Sequence, residues 1–166
     1  GLAEQFRARQ VVKRYLALVH GIPTDEKGAI DLPVGRHPVD RKKMSTRNPQ
    51  GRGALTLWRI KERFQGTALL EVELKTGRTH QIRVHCQSMG HPLVGDPVYG
   101  HRKPRTVLSG YPAAIREILG APQRQLLHAA HLEFNHPANS DHVTIDAEMP
   151  PDMVSTLDQL RSYSGA

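Results

Sequence analysis

Thr67 to Gly90 reads TALLEVELKTGRTHQIRVHCQSMG, and its period changes halfway along. In the first third, Ala68, Leu70, Val72 and Leu74 alternate with Leu69, Glu71, Glu73 and Lys75, which predicts a strand with one wet face. Thr76-Gly77-Arg78-Thr79 breaks it, and Thr79 is the expected N-cap of a short helix. In that helix Ile82, Cys86 and Met89 recur at i, i+4 and i+7 and face the core, with Gly90 at the C-terminal end. Arg83 lies about 100° round from Ile82, shares a face with His80 and Gln87, and so points elsewhere.

Upstream, Ala54 to Phe64 is a second strand joined to the first across Gln65-Gly66, a hairpin signal. Leu2, Phe6 and Arg9 are spaced for a turn or two of helix, and Val11 to Val19 reads as a strand ending at Gly21. The chain opens inside this periodic stretch with neither Met nor polar lead-in, which reads as a cut start. Downstream, His91 to Gly100 (HPLVGDPVYG) is an ordered irregular loop rich in Pro and Gly. A polar, Pro-containing stretch then leads to a helix over Ile115 to Leu119 with Gly120 as its stop. Leu126 to Phe134 and His142 to Glu148 form a second strand pair, and Met153, Leu157 and Leu160 stripe a last helix that follows Pro150-Pro151. Strands grouped as hairpins predict one α+β domain over residues 1–166, a mixed, largely antiparallel sheet flanked by short helices.

The 166 residues carry a net charge of +7. Between Arg36 and Arg63 stand nine Lys or Arg against Asp40 and Glu62, while the bases and acids of the rest cancel. Such a patch, with an exposed loop over Arg47 to Gly53, suits a polyanion such as RNA or DNA better than a small acid; a merely solubilising loop is the alternative. No apolar run approaches the ~20 residues of a membrane span. No secretory leader pattern follows Gly1, and a lone cysteine, Cys86, makes no internal disulfide; both fit a reducing cytoplasm. The chain has no phosphate-cradling GxxxxGK[ST] loop, no GxGxxG and no Gly-x-Ser-x-Gly elbow, which argues against nucleotide cofactors and serine hydrolysis.

GRTHQIRVH, Gly77 to His85, is the best site candidate, since it gathers two Arg, two His and a Gln at a strand-to-helix turn. Its bland alternative is that Arg78 and Arg83 pair with surface or core acids. His80 and His85 lie about 140° apart on a helix, and His128 and His131 fall on opposite faces of a regular strand, so neither is a ligand pair and no metal is expected. Asp96, between Gly95 and Pro97, reads as a turn residue bonding nearby amides, Cys86 as a buried hydrophobe, and Tyr15 as either a base-stacking ring or a packed one.

Four segments together resemble the RluA-type RNA pseudouridine synthases: Glu73 to Gly100, Lys13-Arg14-Tyr15-Leu16-Ala17, Gly35-Arg36-His37-Pro38, and Gln125-Leu126-Leu127-His128-Ala129. They occur in the family's order and cover nearly the whole chain. The resemblance implies an isomerase of ribosomal or transfer RNA that detaches uracil from its ribose, turns it and rejoins it through C5, without cofactor or metal. It implies an aspartate that begins the reaction, Arg83 pairing with it, Tyr15 stacking on the base and Leu127 packing against the site. Arg78, His80 and Gln81 are then expected to orient Arg83 or the RNA, and Arg36, Arg41, Lys42, Lys43, Arg47 and Arg52 to contact phosphates. The family's aspartate stands in a His-Arg-Leu-Asp motif, and that string does not occur here. The expectation is therefore a partial catalytic domain, monomeric, cytoplasmic and inactive alone, or else a non-catalytic RNA-binding module of the same descent.

Overall fold

A computed structural model describes residues 1–100 and 110–164; the connector expected over residues 101–109 lies outside them. Six strands form one sheet in the order β2-β5-β6-β1-β7-β8, every neighbouring pair antiparallel. They are β1 (Val12–His20), β2 (Lys27–Asp31), β5 (Leu55–Phe64), β6 (Thr67–Leu74), β7 (Leu127–Asn135) and β8 (His142–Asp146). A two-residue ladder of β3 (Gly35–Arg36) and β4 (Met44–Ser45) stands apart. The helices are α1 (Leu2–Arg7), α2 (Gln81–Ser88), α3 (Ala113–Gly120) and α4 (Pro151–Ser164). The α+β class with a largely antiparallel sheet is as expected.

Period-2 alternation places Ala17, Val19, Leu70, Val72 and Leu74 on one face, where α2 covers them with Ile82 and Cys86. The opposite face holds Leu18 and Leu69 under α3 and α4, which contribute Ile115, Leu119, Met153, Leu157 and Leu160. Here the sheet departs from the sequence reading. Leu69 lies in the half of β6 expected to be wet, and is buried because the helices from distant sequence cap that end. Glu71 and Glu73, on the same side, lie beyond the cap and meet Arg59, Lys61 and Arg14 in cross-strand ion pairs, and Glu73 also pairs with Lys75 two residues along its own run.

Other local expectations also shift. The α2 N-cap is His80 in the left-handed conformation (φ 55°), not Thr79, and no side chain caps the helix; the Gln81 side chain instead accepts the Arg78 amide and closes the turn before it. Gly120 lies inside α3, whose C-cap is Ala121. The β1–β7 register slips between Arg14 and Tyr15, so His131 opposes Arg14 while Ala129 opposes Tyr15. That bulge returns His128 and His131 to one face, against the expectation of opposite faces. No cluster of three metal-ligating side chains arises among the described residues.

The β5–β6 turn tests the packing of this end of the sheet. Gly66 has φ +75°, its carbonyl accepts a hydrogen bond from the Tyr111 hydroxyl at 2.5 Å, and a Cβ there would land on the Tyr111 ring. Gly66→Ala is expected to cost about 2–3 kcal/mol, from left-handed strain plus the lost bond. A urea midpoint within error of wild type would count against this packing.

Candidate functional site

The turn from β6 into α2 is built by one buried amide. Gln81 is 2% exposed. Its Nε2 donates to the Leu55 carbonyl and to Thr56 Oγ1, and its Oε1 accepts from Thr76 Oγ1 and the Arg78 amide. Every hydrogen-bonding position of that amide is thereby used. Gln81, expected to orient Arg83 or the RNA, is the brace that shapes the turn leading to Arg83, and its fully satisfied buried amide has no group left over for a ligand. His85 is likewise structural, held between Thr56 Oγ1 and the Leu32 carbonyl.

That brace sends the two arginines to different fates. Arg83 leaves the core face as expected but does not reach solvent: its side chain is 11% exposed and its fork closes on Asp96, whose side chain is fully buried, with Nε and Nη2 each 2.8 Å from a carboxylate oxygen. Asp96 also accepts the amides of Val98 and Tyr99 at 2.9 Å, so the turn role read for it holds and a paired role is added. Burial alone would raise its pKa, but the guanidinium and the two amides outweigh burial and hold the carboxyl below its ordinary value. For Arg83, then, the alternative of a core ion pair is what the geometry shows.

Arg78 differs. It is half-buried, its Nε donates to the Gly53 carbonyl at 3.2 Å, and no carboxylate among the described residues lies within ion-pair distance. Burial and then the nearby charges of Arg52 and Arg9 push its pKa down. It is a partly desolvated cation surrounded by cations, an arrangement that favours an incoming anion.

Tyr99, which the sequence reading passed over, ties these parts together. Its ring is 1% exposed and lies 5.0 Å from the Arg83 guanidinium carbon. Its hydroxyl accepts the Met44 amide at 2.7 Å and shares a second hydrogen bond with His80 Nδ1, 2.9 Å away. Burial, then the Arg83 charge, lowers the His80 pKa. The only signal in sequence was a lone aromatic in an otherwise Pro/Gly loop.

The basic segment divides in two. On β5, Arg59 and Lys61 are matched by Glu71 and Arg63 by Glu26. Arg36, Arg41, Lys42, Arg47 and Arg52 are exposed on the β3–β4 loop and its flanks, while Lys43 lies 3.7 Å from Asp40. The loop is internally braced: His37 Nδ1 accepts the amides of Val39 and Asp40, Asp40 accepts that of Lys42, and Asn48 Nδ2 donates to the Arg36 carbonyl. The cations therefore stand on an ordered platform.

Tyr15 and Leu127 come together on the α2 side of the sheet. Tyr15 opposes Ala129 and Leu127 opposes Ala17, which makes the two side chains diagonal neighbours on adjacent strands. Both pack half-buried at the margin of the core that includes Ile82 and Cys86. Beside Tyr15 opens a hollow of about 240 Å³ bordered by Lys13, Ala129 and Leu132. Burial raises the Tyr15 pKa, and its hydroxyl makes no hydrogen bond to the described residues. Cys86 is buried with its thiol pushed up to about 12, which removes it as a nucleophile.

Residues 1–88 match the family described as RNA pseudouridylate synthase. Ribosomal large subunit pseudouridine synthase D of Nitrosomonas europaea is 42% identical over 161 residues, covering 97% of this chain and 44% of that protein. The protein of the same name from Zymomonas mobilis is 44% identical over 154 residues, covering 92% of this chain and 46% of that one. Among solved structures, human RNA pseudouridylate synthase domain containing 4 superposes with a TM-score of 0.74 at 28% identity, over 96% of this chain and 66% of that one. Human RNA pseudouridylate synthase domain containing 1 gives 0.70 at 29% identity, over 99% and 69%. The chain spans about half the length of the curated relatives it matches.

Proposed function

Because the chain belongs to the RNA pseudouridylate synthase family, we propose that it forms the base-holding and RNA-gripping part of an enzyme that isomerises uridine to pseudouridine. Ribosomal RNA is the first candidate substrate and transfer RNA the second, and a cytoplasmic location suits both. The net reaction gains and loses no atoms, so it calls on positioning and charge rather than on a cofactor.

The observation that carries this reading is the open shelf of Tyr15 and Leu127 beside its hollow. A flipped-out uracil would lie with one face on the Tyr15 ring and an edge against Leu127. The aspartate that the family uses to begin the reaction needs a cation to stay ionised near apolar walls. Arg83 was the expected partner, but its fork is filled by Asp96. Arg78 has a guanidinium without a carboxylate, and we assign that role to it, with Arg83 holding the loop and helix that surround the site. His80, held at Nδ1 by Tyr99, keeps its other ring nitrogen for the RNA, and the cations of the β3–β4 loop take its phosphates.

The test is pseudouridine formation on ribosomal and transfer RNA, by the 166-residue chain and by a form extended to the native start. Turnover by the extended form alone is the expected result. Turnover by the 166 residues would overturn their inactivity, and RNA binding without turnover in both forms would favour a non-catalytic module, the reading suggested by the missing His-Arg-Leu-Asp string. Neutralising Arg41, Lys42 and Lys43 together is expected to weaken RNA binding at every sequence. It should also reduce the slope of log affinity against log salt by about 2, at ~0.7 per single-strand phosphate contact. An unchanged slope would show that these cations do not meet phosphates.

A further inference from the structure

Between the β3–β4 loop and the outer side of α2 lies a cleft of about 640 Å³. It is apart from the Tyr15 shelf: its helix wall carries Val84, Gln87 and Ser88, whereas the shelf borders the core reached by Ile82 and Cys86. We propose that this cleft is a binding site for one unpaired nucleotide of the RNA strand, separate from the shelf that would hold the target uridine.

The two walls differ in chemistry. The loop wall presents Lys43, Arg47 and His37, and no acidic side chain lines the cleft. Arg47 is exposed and has no ion-pair partner among the described residues. An anion is therefore favoured on that side. The opposite wall offers the exposed Gln87 amide, which makes no hydrogen bond to the described residues, with the Ser88 hydroxyl beside it; Thr46 adds a hydroxyl from the loop. The Gln87 amide and the Thr46 hydroxyl can both donate and accept, while the Ser88 hydroxyl, its proton given to the His85 carbonyl, offers an acceptor; the edges of a base call for both kinds. Leu32, 38% exposed, and the half-buried Met44 add apolar surface against which the face of a base can rest.

The volume lies within the range of small-molecule sites, so the cleft is roomy enough for a nucleotide rather than for a bare phosphate alone. It is also preformed. Met44 is pinned from below by the Tyr99 hydroxyl, Ser45 Oγ accepts the Arg47 amide, and Ser88 Oγ bonds back to the His85 carbonyl. Binding there would not have to order the walls. A single strand fits and a duplex does not, since a cleft between two walls admits an unstacked base but not a paired one.

This inference rests on the RNA reading of the basic loop, and its test separates the two. Short single-stranded RNA oligonucleotides would be titrated into the chain with the backbone amides followed by NMR, alongside a titration with inorganic phosphate. The expected result is saturable shifts on both walls, residues 43–47 and 87–88, with oligonucleotide. Ser88→Trp, at an exposed position that tolerates a large side chain, should weaken oligonucleotide binding about tenfold with the salt slope unchanged, because it fills the cleft without removing a cation. Arg47→Ala should lower both the affinity and the slope. Shifts on Arg36, Arg41 and Lys42 that leave 87–88 unmoved would overturn the cleft and keep the RNA reading. Shifts on both walls with phosphate but not with oligonucleotide would reduce the cleft to an anion site and overturn it. Absence of any RNA binding would overturn both readings.

Discussion

Arg83→Ala is expected to destabilise the fold by about 3–5 kcal/mol, the usual cost of removing one member of a buried ion pair. Asp96 would be left with a fully buried carboxylate whose strongest partner is gone, retaining only the amides of Val98 and Tyr99. The pH dependence gives the loss a signature. In the wild type the Asp96 pKa is depressed, so the pair's stabilisation is complete above the unfolded carboxylate value near 4 and is lost as pH falls through the folded value. In the variant burial dominates and the pKa rises, so stability declines as pH increases from about 4 through the raised value. The gap in urea midpoint between the two proteins should therefore be narrowest at acidic pH, below the depressed folded value of Asp96, and widen as pH rises through about 4 towards neutrality. Replacing both charges, as Arg83→Met with Asp96→Asn, should cost less than Arg83→Ala alone. A pH-independent gap, or a variant as stable as wild type, would mean that the pair does not hold the 91–100 loop to α2.

Arg78→Ala should do the reverse. Its Nε makes one hydrogen bond to the Gly53 carbonyl and its guanidinium has no acid to strand, so removal should cost about 1 kcal/mol or less. Relief of the repulsion from Arg52 and Arg9 offsets part of that. Turnover is another matter. If Arg78 keeps the reacting aspartate ionised, pseudouridine formation by the native-length protein should fall about 10²–10³-fold, the scale of losing one preorganised electrostatic contact. Raising the pH should restore part of the activity, because an aspartate without its cation ionises at higher pH. Arg78→Lys keeps a charge but not the fork and should fall between. Near-normal turnover in Arg78→Ala would return the role to Arg83, and a loss matched by unfolding would make Arg78 a structural residue.

The two arginines show why the site was only partly legible. Both stand in GRTHQIRVH at a strand-to-helix turn, and helical geometry correctly takes Arg83 off the core face. Nothing local says that Asp96, thirteen residues on, will be carried under it by the Leu93 bridge to Val19. The bracing part that Gln81 plays is hidden for a related reason. Its polarity is visible in sequence, but its four partners come from β5 and the β6–α2 turn. Tyr15 and Leu127 lie 112 positions apart and become neighbours only because β7 pairs with β1.

What the amino-acid sequence determined alone was what depends on short range. Period-2 alternation set β5, β6 and the α2-facing side of the sheet, i, i+4 and i+7 spacing set the buried stripes of α2 and α4, and the net +7 with its basic segment pointed to a polyanion. The ordered motifs of the chain carried its family. Tertiary structure decided which cations are free and which are matched, since an ion pair depends on what the other strands bring opposite. It also decided the face of His131, because one bulge reverses the parity that sequence spacing assumes. And it decided that Arg83 meets a buried carboxylate while Arg78 meets none among the described residues, because burial and pairing belong to the packed chain and to no segment of it.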